Sequence, residues 1–590
     1  MKLPESTVDV LIIGAGPAGL MAAAWMAQCG INTRIVEERK DGLQVGRADG
    51  LHTRSMEIFE SFGFDQEVTK LWDPITDDAV WSRDADGSFY RSEREMRPLP
   101  LRARWTGGLL QQAIIEDIIK RHIKLIAPIE VEYETVPTSL SINENDVSEP
   151  DHHPCVVTLR RKSTSIEGNY VSSESEETVR AKYVIGADGG KSWTRKQLGF
   201  TMEGNRTDSI WGVIDLVVTS DFPDIRTATT VKNNEGGNLF LFRRERGMTR
   251  FYVQLNKGKD EEILRRESVT QETITEKIKF MLRPYTVNVK RCEWWSAYTV
   301  AQHLSTGMSK HGRAFLVGDA VHTHSPLVGQ GMNISMQDSY NLGWKLAGVI
   351  HKRYKPSILA TFDLERRPVA EQLVEVDQVY LKLFDAPKGQ EPDWLLERAA
   401  QMEPFLMGLS VHYDNSPLTA WSPKTIPLDP QADHIIPGKR FPEITVSNHA
   451  TAKIYPLQQL LRSNGRFHVI VFAADISDPC HLERMNVVGA RLASVEQEFK
   501  HELDIFAVHC ASRSKVELAS MHETFFPEDE DTGRDYDRVY CIVDMAFADL
   551  GISSNGTIIA VRPDQYVGWL GGLGDMDKLS QYFEDIFDAK

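Results

Sequence analysis

Several features that mark whole classes of protein are scarce or missing in this 590-residue sequence. No stretch reaches the roughly 18 apolar residues that a membrane-spanning helix needs. Acidic residues outnumber basic ones, 84 to 67, and the net charge of -17 disfavours a surface that binds nucleic acid. No arginine-rich leader is visible at the N-terminus. We therefore expect a cytoplasmic protein that acts on small molecules, with neither a nucleic acid nor a membrane as its partner.

Cysteine is also sparse. The six cysteines are widely spaced and form no CxxC pair, so their spacing indicates neither a zinc site nor a dithiol redox pair. They are Cys29, Cys155, Cys292, Cys480, Cys510 and Cys541. We expect free thiols in a reducing compartment and no bound metal.

The best-defined motif lies near the N-terminus, in residues 8–38. An apolar β-rich run leads into Gly14-x-Gly16-x-x-Gly19, and a helical segment and a second apolar run follow. In such a βαβ unit the first glycine allows a tight turn, the second lets the backbone approach a pyrophosphate, and the third lets helix and strand pack closely. The helix N-terminus offers amides to the phosphates, and an acid after the second strand binds a ribose. The candidate contacts are Gly14, Gly16, Pro17, Ala18, Gly19, Glu37 and Glu38.

Two questions stay open at this motif. Glycine-rich turns also occur as ordinary tight connections between a strand and a helix. The strand, the helix and the acid at the expected spacing favour dinucleotide binding over that alternative. The motif alone does not separate NAD from FAD.

A second candidate region is the loop at residues 46–52, which runs into a predicted helix at residues 53–62. Loops that leave the carboxyl edge of a sheet meet cofactors or substrates, so Arg47 and Asp49 are candidates. A turn or capping role beside Gly50 is the alternative for Asp49. Further on, residues 111–120 have helical spacing, and we predict a strand at residues 124–131.

Residues 210–299 consist of β-rich segments separated by short polar stretches. We predict a mostly antiparallel sheet, with one amphipathic helix near residues 270–281, that forms the floor of a pocket over the cofactor. Arg244, Arg250 and Tyr252 lie on this sheet. Their alternative role is in cross-strand pairs on a solvated face.

Two further strands end on acids. A strand returning at residues 181–187 ends on Asp188, and the strand that ends at residue 317 is followed by Gly318 and Asp319. A helix that begins near residues 331–333 offers its N-terminal amides to an electron-rich ring edge, and Asp319 is suited to ribityl hydroxyls. A metal site at His322 and His324 is disfavoured, because Asp319 is better explained as a cofactor contact.

The remainder of the chain shows a long amphipathic helical region at residues 335–384, then a segment rich in proline, aspartate and glycine. The final 150 or so residues form another α/β unit, whose last two strands we predict to be a hairpin.

Taken in order, these motifs resemble the class A flavoprotein aromatic hydroxylases. The resemblance depends on GxGxxG with its acid, on Ala187-Asp188-Gly189, on Gly318-Asp319-Ala320, and on the segment that follows, with Pro326, Gly329, Gly331, Met332 and Asn333. The chain is most similar to the phenol 2-monooxygenase and 3-hydroxybenzoate hydroxylase branch, which carries a thioredoxin-like C-terminal domain without redox cysteines. The likeness extends over essentially the whole chain.

The resemblance implies an α/β fold: a Rossmann-like FAD-binding domain, an inserted mostly antiparallel substrate sheet of the para-hydroxybenzoate-hydroxylase kind, and a thioredoxin-like domain. It assigns residues 1–205 and 301–385 to the FAD-binding domain, 206–300 to the sheet domain, 386–437 to a linker and 438–590 to the thioredoxin-like domain. It also implies a homodimer.

For the chemistry, the resemblance implies FAD as cofactor, NADPH or NADH as a transient reductant, and molecular oxygen. Asp49 matches the family's catalytic aspartate, Tyr252 its active-site tyrosine and Arg244 its active-site arginine. Arg250 matches the residue that holds the flavin in its swung-out position. Arg47, Ala48 and Gln112 match cofactor contacts, although Gly107 stands where an arginine often precedes such a glutamine.

The implied reaction is hydroxylation of a phenol, ortho or para to its hydroxyl, by a C4a-hydroperoxyflavin. A base near the phenol oxygen accelerates that step because deprotonation raises the electron density of the ring. Two alternatives stay open: the same flavin chemistry giving oxidative dearomatisation or ring oxygen insertion on a polyketide phenol, and a catalytically silent FAD-binding protein. The joint presence of Asp49, Arg244 and Tyr252 speaks against a silent protein.

Overall fold

The structure is a computed structural model. It describes residues 3–83, 86–100, 102–161, 175–233, 237–256, 265–386, 391–420, 434–499, 502–529, 531, 533–543 and 545–588. In this part of the chain, no helix combines the length and the apolarity that a membrane crossing requires.

The strands of the first 323 residues differ widely in length. They are β1 (Glu5–Ile13), β2 (Thr33–Val36), β3 (Gly50–Leu51), β4 (Asp73–Pro74), β5 (Asp77–Arg83), β6 (Phe89–Met96), β7 (Gly108–Leu109), β8 (Val131–Glu132), β9 (Thr135–Ile142), β10 (Cys155–Arg161), β11 (Ser175–Gly186), β12 (Met202–Ser220), β13 (Ala228–Asn233), β14 (Gly237–Arg243), β15 (Thr249–Gln254), β16 (Val287–Ser305), β17 (Ser309–Lys310), β18 (Ala314–Leu316) and β19 (His322–Thr323).

The C-terminal strands follow after residue 440. They are β20 (Thr445–Asn448), β21 (Ile454–Pro456), β22 (Phe467–Ala473), β23 (Leu503–His509), β24 (Glu528–Asp529), β25 (Gly533–Arg534), β26 (Val539–Ile542), β27 (Thr557–Val561) and β28 (Val567–Gly571). The α-helices are α1 (Pro17–Gln28), α2 (Thr53–Phe62), α3 (Asp65–Thr69), α4 (Gln112–Ile126), α5 (Trp193–Gln197), α6 (Gln271–Met281), α7 (Gly331–Ile350), α8 (Thr361–Asp385), α9 (Asp393–Leu406), α10 (Pro479–Glu498) and α11 (Met576–Ile586).

The first sheet has the order β17-β18-β11-β1-β2-β8. Strand β10 also pairs with β11, and β9 pairs with β10. The strands of this sheet from β18 to β8 run parallel, so both faces need cover. The apolar run of β1 is accordingly buried on both sides. Helix α1 is buried all round, and α7 packs so closely on it that a Cβ on Gly343 would meet the Trp25 ring.

The second sheet has the order β19-β16-β12-β15-β14-β13-β5-β6 and is mostly antiparallel. Its two longest strands, β12 and β16, are neighbours and are each 19 residues long. It confirms the predicted antiparallel sheet, and it also takes in β5 and β6 from residues 1–205. They join through a parallel pairing of β13 with β5, which a local pattern does not reveal. The domain boundaries stay a prediction.

The third sheet has the order β21-β20-β26-β23-β22-β27-β28. Strands β22, β23 and β26 are parallel, and β27 and β28 form the predicted hairpin at the end of the chain. The sheet is joined to the first half of the molecule by aromatic packing, because Phe467 lies edge-on to Trp344 and Tyr354.

Two predicted elements differ from the structure. Residues 124–131 were expected to be a strand, but α4 continues to Ile126 and only Val131 and Glu132 form β8. The buried side chains of Ile115, Ile119 and Ile123 keep the helical spacing, and this overrides the short β-rich pattern. The long helical region at residues 335–384 is two helices, α7 and α8, because the segment between them turns at Pro356.

A buried ionic network also holds the C-terminal domain in place. The Arg562 guanidinium donates to both carboxylate oxygens of Glu365, at 2.6 and 2.8 Å, and Lys345 donates to Glu365 at 2.7 Å. Arg562 also pairs with Asp564. Burial opposes ionisation of Glu365, but Arg562 and Lys345 lower its pKa to about 2. Removing one partner from such a network leaves buried charge without compensation.

We predict that Glu365→Gln lowers the free energy of unfolding by about 3–5 kcal/mol near neutral pH. Denaturant unfolding of the FAD-loaded protein measures this. The deficit shrinks as the pH falls from 4.5, the usual pKa, towards 2, because the wild-type carboxylate then also becomes neutral. The control is Glu375→Gln, since Glu375 pairs with Arg398 on the surface and its loss costs less than about 0.5 kcal/mol. Equal loss in both variants would contradict the assigned role of the network.

Candidate active site

Asp49 lies in the loop between β2 and β3, and its side chain is buried. The loop approaches the second sheet very closely at Gly46. This residue has a φ of +78°, and a Cβ there would collide with the indole of Trp294 on β16. Glycine at this position therefore lets the loop carry Asp49 onto the face of the sheet.

The Asp49 carboxylate is held by three donors from the second sheet. The Tyr252 hydroxyl donates to it at 3.1 Å, and Arg244 and Arg250 lie 3.1 and 3.2 Å from it. Arg250 and Tyr252 share one face of β15, because alternate residues of a strand point the same way. Arg244 directly follows β14 and is also paired with Glu245 at 2.8 Å. The three residues predicted to be catalytic thus form one cluster.

Arg250 links this cluster to the rest of the sheet. It donates to both carboxylate oxygens of Asp215, each at 2.7 Å, and to the backbone carbonyl of Arg47 at 2.6 Å. The Trp294 ring covers it, with a centroid 5.4 Å from the guanidinium carbon. Asp215 and Arg250 face each other across β12 and β15, so a cross-strand pair does exist, but on a buried face and not a solvated one.

The environment fixes the charge of these groups. Burial raises the pKa of Tyr252 well above its usual value, and the nearby Asp49 carboxylate acts in the same direction. Although burial opposes it, Asp49 and Asp215 raise the pKa of Arg250. Tyr252 therefore keeps its proton and donates a hydrogen bond to Asp49, while Arg250 stays charged. Asp49 is the acceptor at the centre of the cluster.

An aromatic cluster adjoins Tyr252 on the same sheet. Trp211 and Phe240 are stacked with their centroids 5.7 Å apart, and Phe384 of α8 meets Phe240 edge-on at 4.9 Å. The cluster consists of Trp211, Phe240 and Val300, packed with the partly exposed side chains of Phe242, Tyr252, Tyr298, Leu327, Leu381 and Phe384. Such rings provide flat apolar surface for an aromatic substrate.

Two buried polar atoms beside the sheet lack a hydrogen-bond partner in the described structure, the Tyr298 hydroxyl and the His324 Nε2 atom. Nearby, the Asp377 carboxylate of α8 accepts hydrogen bonds from the Ser325 amide at 3.0 Å and from Gln302 at 2.7 Å. Orphan atoms of this kind are unusual unless a ligand or water satisfies them. Both atoms are therefore available to a ligand bound beside the aromatic cluster.

The cofactor motifs meet at the carboxyl edge of the first sheet. Ile13, the last residue of β1, pairs with Val36 of β2 and with Gly186 of β11, and Gly186 pairs with Leu316 of β18. The three predicted motifs therefore begin one or two residues after these paired positions on neighbouring strands. This edge is where ligands bind in open α/β sheets.

The glycine-rich turn fits a pyrophosphate. Gly14 has a φ of +103°, and a Cβ there would lie 2.5 Å from the carbonyl oxygen of Ala187. Gly19 packs against the turn itself, whereas a Cβ on Gly16 would point into open space. Glu37 supports the turn by accepting a hydrogen bond from the Ala15 amide at 2.9 Å.

Helix α1 starts directly after this turn, with Pro17 and Ala18 in its first turn. Its N-cap residue, Gly16, makes no side-chain capping bond. The first amides of a helix have no intrahelical acceptor, so they are available to an anion placed in the space above Gly16.

The acids that end the other strands are placed differently. The Asp188 carboxylate accepts hydrogen bonds from the Thr194 amide at 2.8 Å and from Ser192, so it caps α5. Asp319 is exposed at the sheet edge and has no hydrogen-bond partner among the described residues. Its oxygens are available to hydroxyl groups of a cofactor. Glu38 is also exposed, at the end of β2.

Gln112 holds the loop that carries Asp49 through two hydrogen bonds to Ala48. Its side-chain oxygen accepts a hydrogen bond from the Ala48 backbone amide at 3.2 Å, and its backbone amide donates to the Ala48 carbonyl at 3.0 Å. Arg47 has a φ of +65° and an exposed side chain. The loop is thus held at its backbone while the Arg47 side chain is left at the surface.

The segment before α7 is tied to the same loop. The Asn333 side chain accepts from the His52 amide at 3.0 Å and donates to the carbonyls of Gly50 and Gly329, each at 2.9 Å. The Gly318 amide donates to Asp338. Helix α7 begins at Gly331 and Met332 without a side-chain cap, so its first amides are free to meet a ligand, and Pro326 opens the turn that leads to it.

Sequence reasoning missed several residues of the site. Asp215 is the single acid in the apolar run of β12, and that isolation was a usable signal. Trp294, Tyr298 and Asp377 gave no local signal, because their roles arise from contacts between distant strands and helices. His322, considered above for a metal, instead pairs with Asp338 at 2.9 Å.

Comparison with known families agrees with this geometry. Residues 7–377 match the FAD binding domain family, and residues 411–590 match the phenol hydroxylase C-terminal dimerisation domain family. The chain belongs to the class A FAD-dependent aromatic hydroxylases. FAD is therefore its cofactor, which settles the choice that the glycine motif left open. The fold class predicted from the sequence is confirmed.

Related proteins extend over the whole length. The FAD-dependent monooxygenase ankC of Aspergillus thermomutatus is 56% identical over 100% of both chains. The phenol 2-monooxygenase fsqG of Aspergillus fumigatus is 33% identical, covering 99% of this chain and 97% of its own. The 3-hydroxybenzoate 4-monooxygenase of Comamonas testosteroni is 32% identical, covering 99% and 95%. This hydroxylase is accordingly a flavin-dependent monooxygenase of the aromatic class.

Solved structures share the fold. The flavin-dependent monooxygenase PieE, in complex with FAD and substrate, superposes with a TM-score of 0.73 at 20% identity, covering 98% of this chain and 99% of its own. Aklavinone-11 hydroxylase, with FAD and aklavinone, gives 0.70 at 20% identity and 98% of both chains.

We predict that Gly16→Val reduces the FAD affinity of the hydroxylase by at least about tenfold, or about 1.4 kcal/mol. The added side chain points into open space and occupies the pyrophosphate position without straining the fold. Flavin content after gel filtration and a fluorescence titration of the apoprotein measure the effect. Gly574→Val, where a Cβ also meets open space but which follows β28 of the third sheet, is the matched control. Normal FAD retention in Gly16→Val would refute the assignment.

Proposed function

We propose that this hydroxylase adds oxygen to a phenolic ring, ortho or para to the existing hydroxyl, using NADPH or NADH and molecular oxygen. The observation that carries the proposal is the buried Asp49 carboxylate with the Tyr252 hydroxyl and the Arg244 guanidinium as its donors. Reduced FAD, when bound, supplies the activated oxygen. The remaining task of the protein is to bind the phenol, to withdraw its proton and to keep water away.

In this proposal, the phenol oxygen binds beside Tyr252 and Asp49. Asp49 accepts the phenol proton either directly or through the Tyr252 hydroxyl, which already donates a hydrogen bond to Asp49. Loss of that proton raises the electron density at the ortho and para carbons, which are the sites of attack. Base assistance of this kind contributes roughly 100-fold to 10,000-fold.

Arg244 and Arg250 would then stabilise the negative charge shared by the carboxylate and the phenolate. Buried, preoriented charges act strongly because no solvent needs to reorganise around them. The aromatic cluster around Trp211 and Phe240 would exclude water from the reacting ring, and this protects the activated oxygen from unproductive loss.

The charge balance of the site favours an uncharged phenol over a hydroxybenzoate. Arg244 is paired with Asp49 and Glu245, and Arg250 is paired with Asp215. A substrate carboxylate inside the described cluster would meet three carboxylates and only two guanidinium groups, both of which are already paired. A neutral phenol avoids this repulsion and the cost of burying another charge.

We also propose that the hydroxylase acts as a homodimer, with the second copy bound through residues 411–590. The match of this region to a dimerisation domain family supports the proposal. Light scattering coupled to gel filtration distinguishes a dimer from a monomer of 66.7 kDa.

We predict that Asp49→Asn retains FAD and binds phenols but hydroxylates at least about 100-fold more slowly. Asparagine keeps the shape and cannot accept the proton. Single-turnover product formation by the reduced enzyme with oxygen measures this step. The control is Asp208→Asn, at an exposed aspartate of the same sheet, which we expect to react at the wild-type rate. Wild-type turnover by Asp49→Asn would remove Asp49 from its proposed role.

We further predict that phenols without a carboxylate stimulate NADPH or NADH oxidation at least about tenfold more, in kcat/KM, than the matching hydroxybenzoates, a difference of about 1.4 kcal/mol. Product analysis distinguishes hydroxylation from uncoupled peroxide release. A preference for hydroxybenzoates would contradict the charge argument. No stimulation by any phenol would contradict the phenol proposal itself.

A further inference from the structure

A second cluster of chemically reactive side chains lies in the C-terminal domain, far along the chain from the residues of the active site. It is formed where three neighbouring strands of the third sheet meet. His449 directly follows β20, His509 is the last residue of β23, and Cys541 is on β26 between them. His509 is paired with Cys541 in the ladder of β23 and β26, and Ser447 is paired with Cys541 from the other side.

The donor atoms of the three residues converge. His449 Nδ1 lies 2.9 Å from His509 Nε2, and the Cys541 sulfur lies 3.3 Å from His509 Nε2 and 3.8 Å from His449 Nδ1. All three side chains are buried, with exposures of 6% for His449, 0% for His509 and 7% for Cys541. One atom of each residue is therefore directed into the same small space.

We propose that His449, His509 and Cys541 form a binding site for a zinc-class divalent cation. Imidazole nitrogen and thiolate sulfur are the ligands that zinc prefers. An ion about 2.0–2.1 Å from both nitrogens and about 2.3 Å from the sulfur fits the three separations without moving a donor atom. Such an ion lies to one side of the plane of the donors, which leaves its fourth coordination position on the opposite side.

The surroundings of His449 suit this role. His449 Nε2 lies 3.1 Å from the carbonyl oxygen of Val516, so this nitrogen carries the proton and Nδ1 offers its lone pair to the cluster. Metal-binding histidines commonly donate their outer nitrogen to a backbone carbonyl in this way. Burial lowers the pKa of His449, and it lowers that of His509 to about 3, so both rings are neutral and able to bind a cation.

Metal binding requires the Cys541 thiol to lose its proton. Burial raises the pKa of Cys541 to about 11, although the Arg513 guanidinium acts in the opposite direction. Without metal the thiol keeps its proton. Binding of the cation forms the metal–sulfur bond and releases that proton to solvent, so affinity increases with pH. No electron transfer or further reactant is required.

The alternative is a hydrogen-bonded cluster in which a proton bridges the two histidines and no metal binds. The two arrangements use the same donor atoms and differ in metal content. The sequence spacing did not reveal the site, because the ligands are separated by 60 residues and by 32 residues and come from three strands. The bound ion would cross-link β20, β26 and β23, which is a structural role separate from the flavin chemistry.

The test uses the full-length FAD-loaded enzyme without a histidine tag. The protein is stripped with a chelator, incubated with Zn²⁺, desalted and analysed for metal by mass spectrometry. We expect about one zinc per chain, and a loss of more than about tenfold in Cys541→Ser. Cys510→Ser, which alters the exposed thiol next to His509, is the matched control and should retain zinc. Flavin content should be unchanged in both variants.

Cobalt provides a second readout that does not depend on a variant. Co²⁺ bound by one thiolate and two imidazoles gives strong ligand-field bands at wavelengths longer than flavin absorption, and the thermal midpoint of the wild type should rise with added Zn²⁺. The proposal is overturned if the wild type retains no more zinc than Cys541→Ser, or if Co²⁺ gives only the weak spectrum of the hydrated ion.

Discussion

The interaction on which the site depends is the contact of one buried carboxylate, Asp49, with two guanidinium groups. The carboxylate comes from a loop of the FAD-binding domain, and Arg244 and Arg250 come from the second sheet. Charges of opposite sign in a buried place need one another, because either one alone would carry a large desolvation cost. The contact therefore holds the loop to the sheet, and with it the backbone of Arg47 and Ala48. One ionic cluster thus positions the proposed substrate site relative to the cofactor edge.

The C-terminal domain uses the same physical principle in a different place. Its Arg562 reaches the buried Glu365 of α8, while Arg54 of α2 donates to the carbonyl of Asp564 at 2.7 Å. Helix α8 also carries Asp377 and Phe384, which contact the aromatic side of the second sheet. The domain is therefore packed against α8, and a later part of the same helix borders the proposed substrate site.

Much of the cofactor site could be predicted from the sequence, because its signals are local. The turn at Gly14, its strand, its helix and Glu37 lie within 38 residues, and the structure has them in the predicted order. The proposed catalytic cluster is different, since Asp49 and Tyr252 are 203 residues apart and no local pattern brings them together. They were found through resemblance to a family. Contacts between distant strands also explain why β5 and β6, Trp294 and the cluster of His449, His509 and Cys541 escaped prediction.

The central claim is that a phenol oxygen binds at the Asp49 and Tyr252 pair. The most direct measurement is a crystal structure of the FAD-loaded hydroxylase with a phenol that stimulates its NADPH or NADH oxidation. The account predicts that the phenol oxygen lies about 2.6–3.2 Å from an oxygen of Asp49 or Tyr252, with the ring against the aromatic cluster of Trp211 and Phe240. A productive complex whose phenol oxygen contacts neither residue would contradict it.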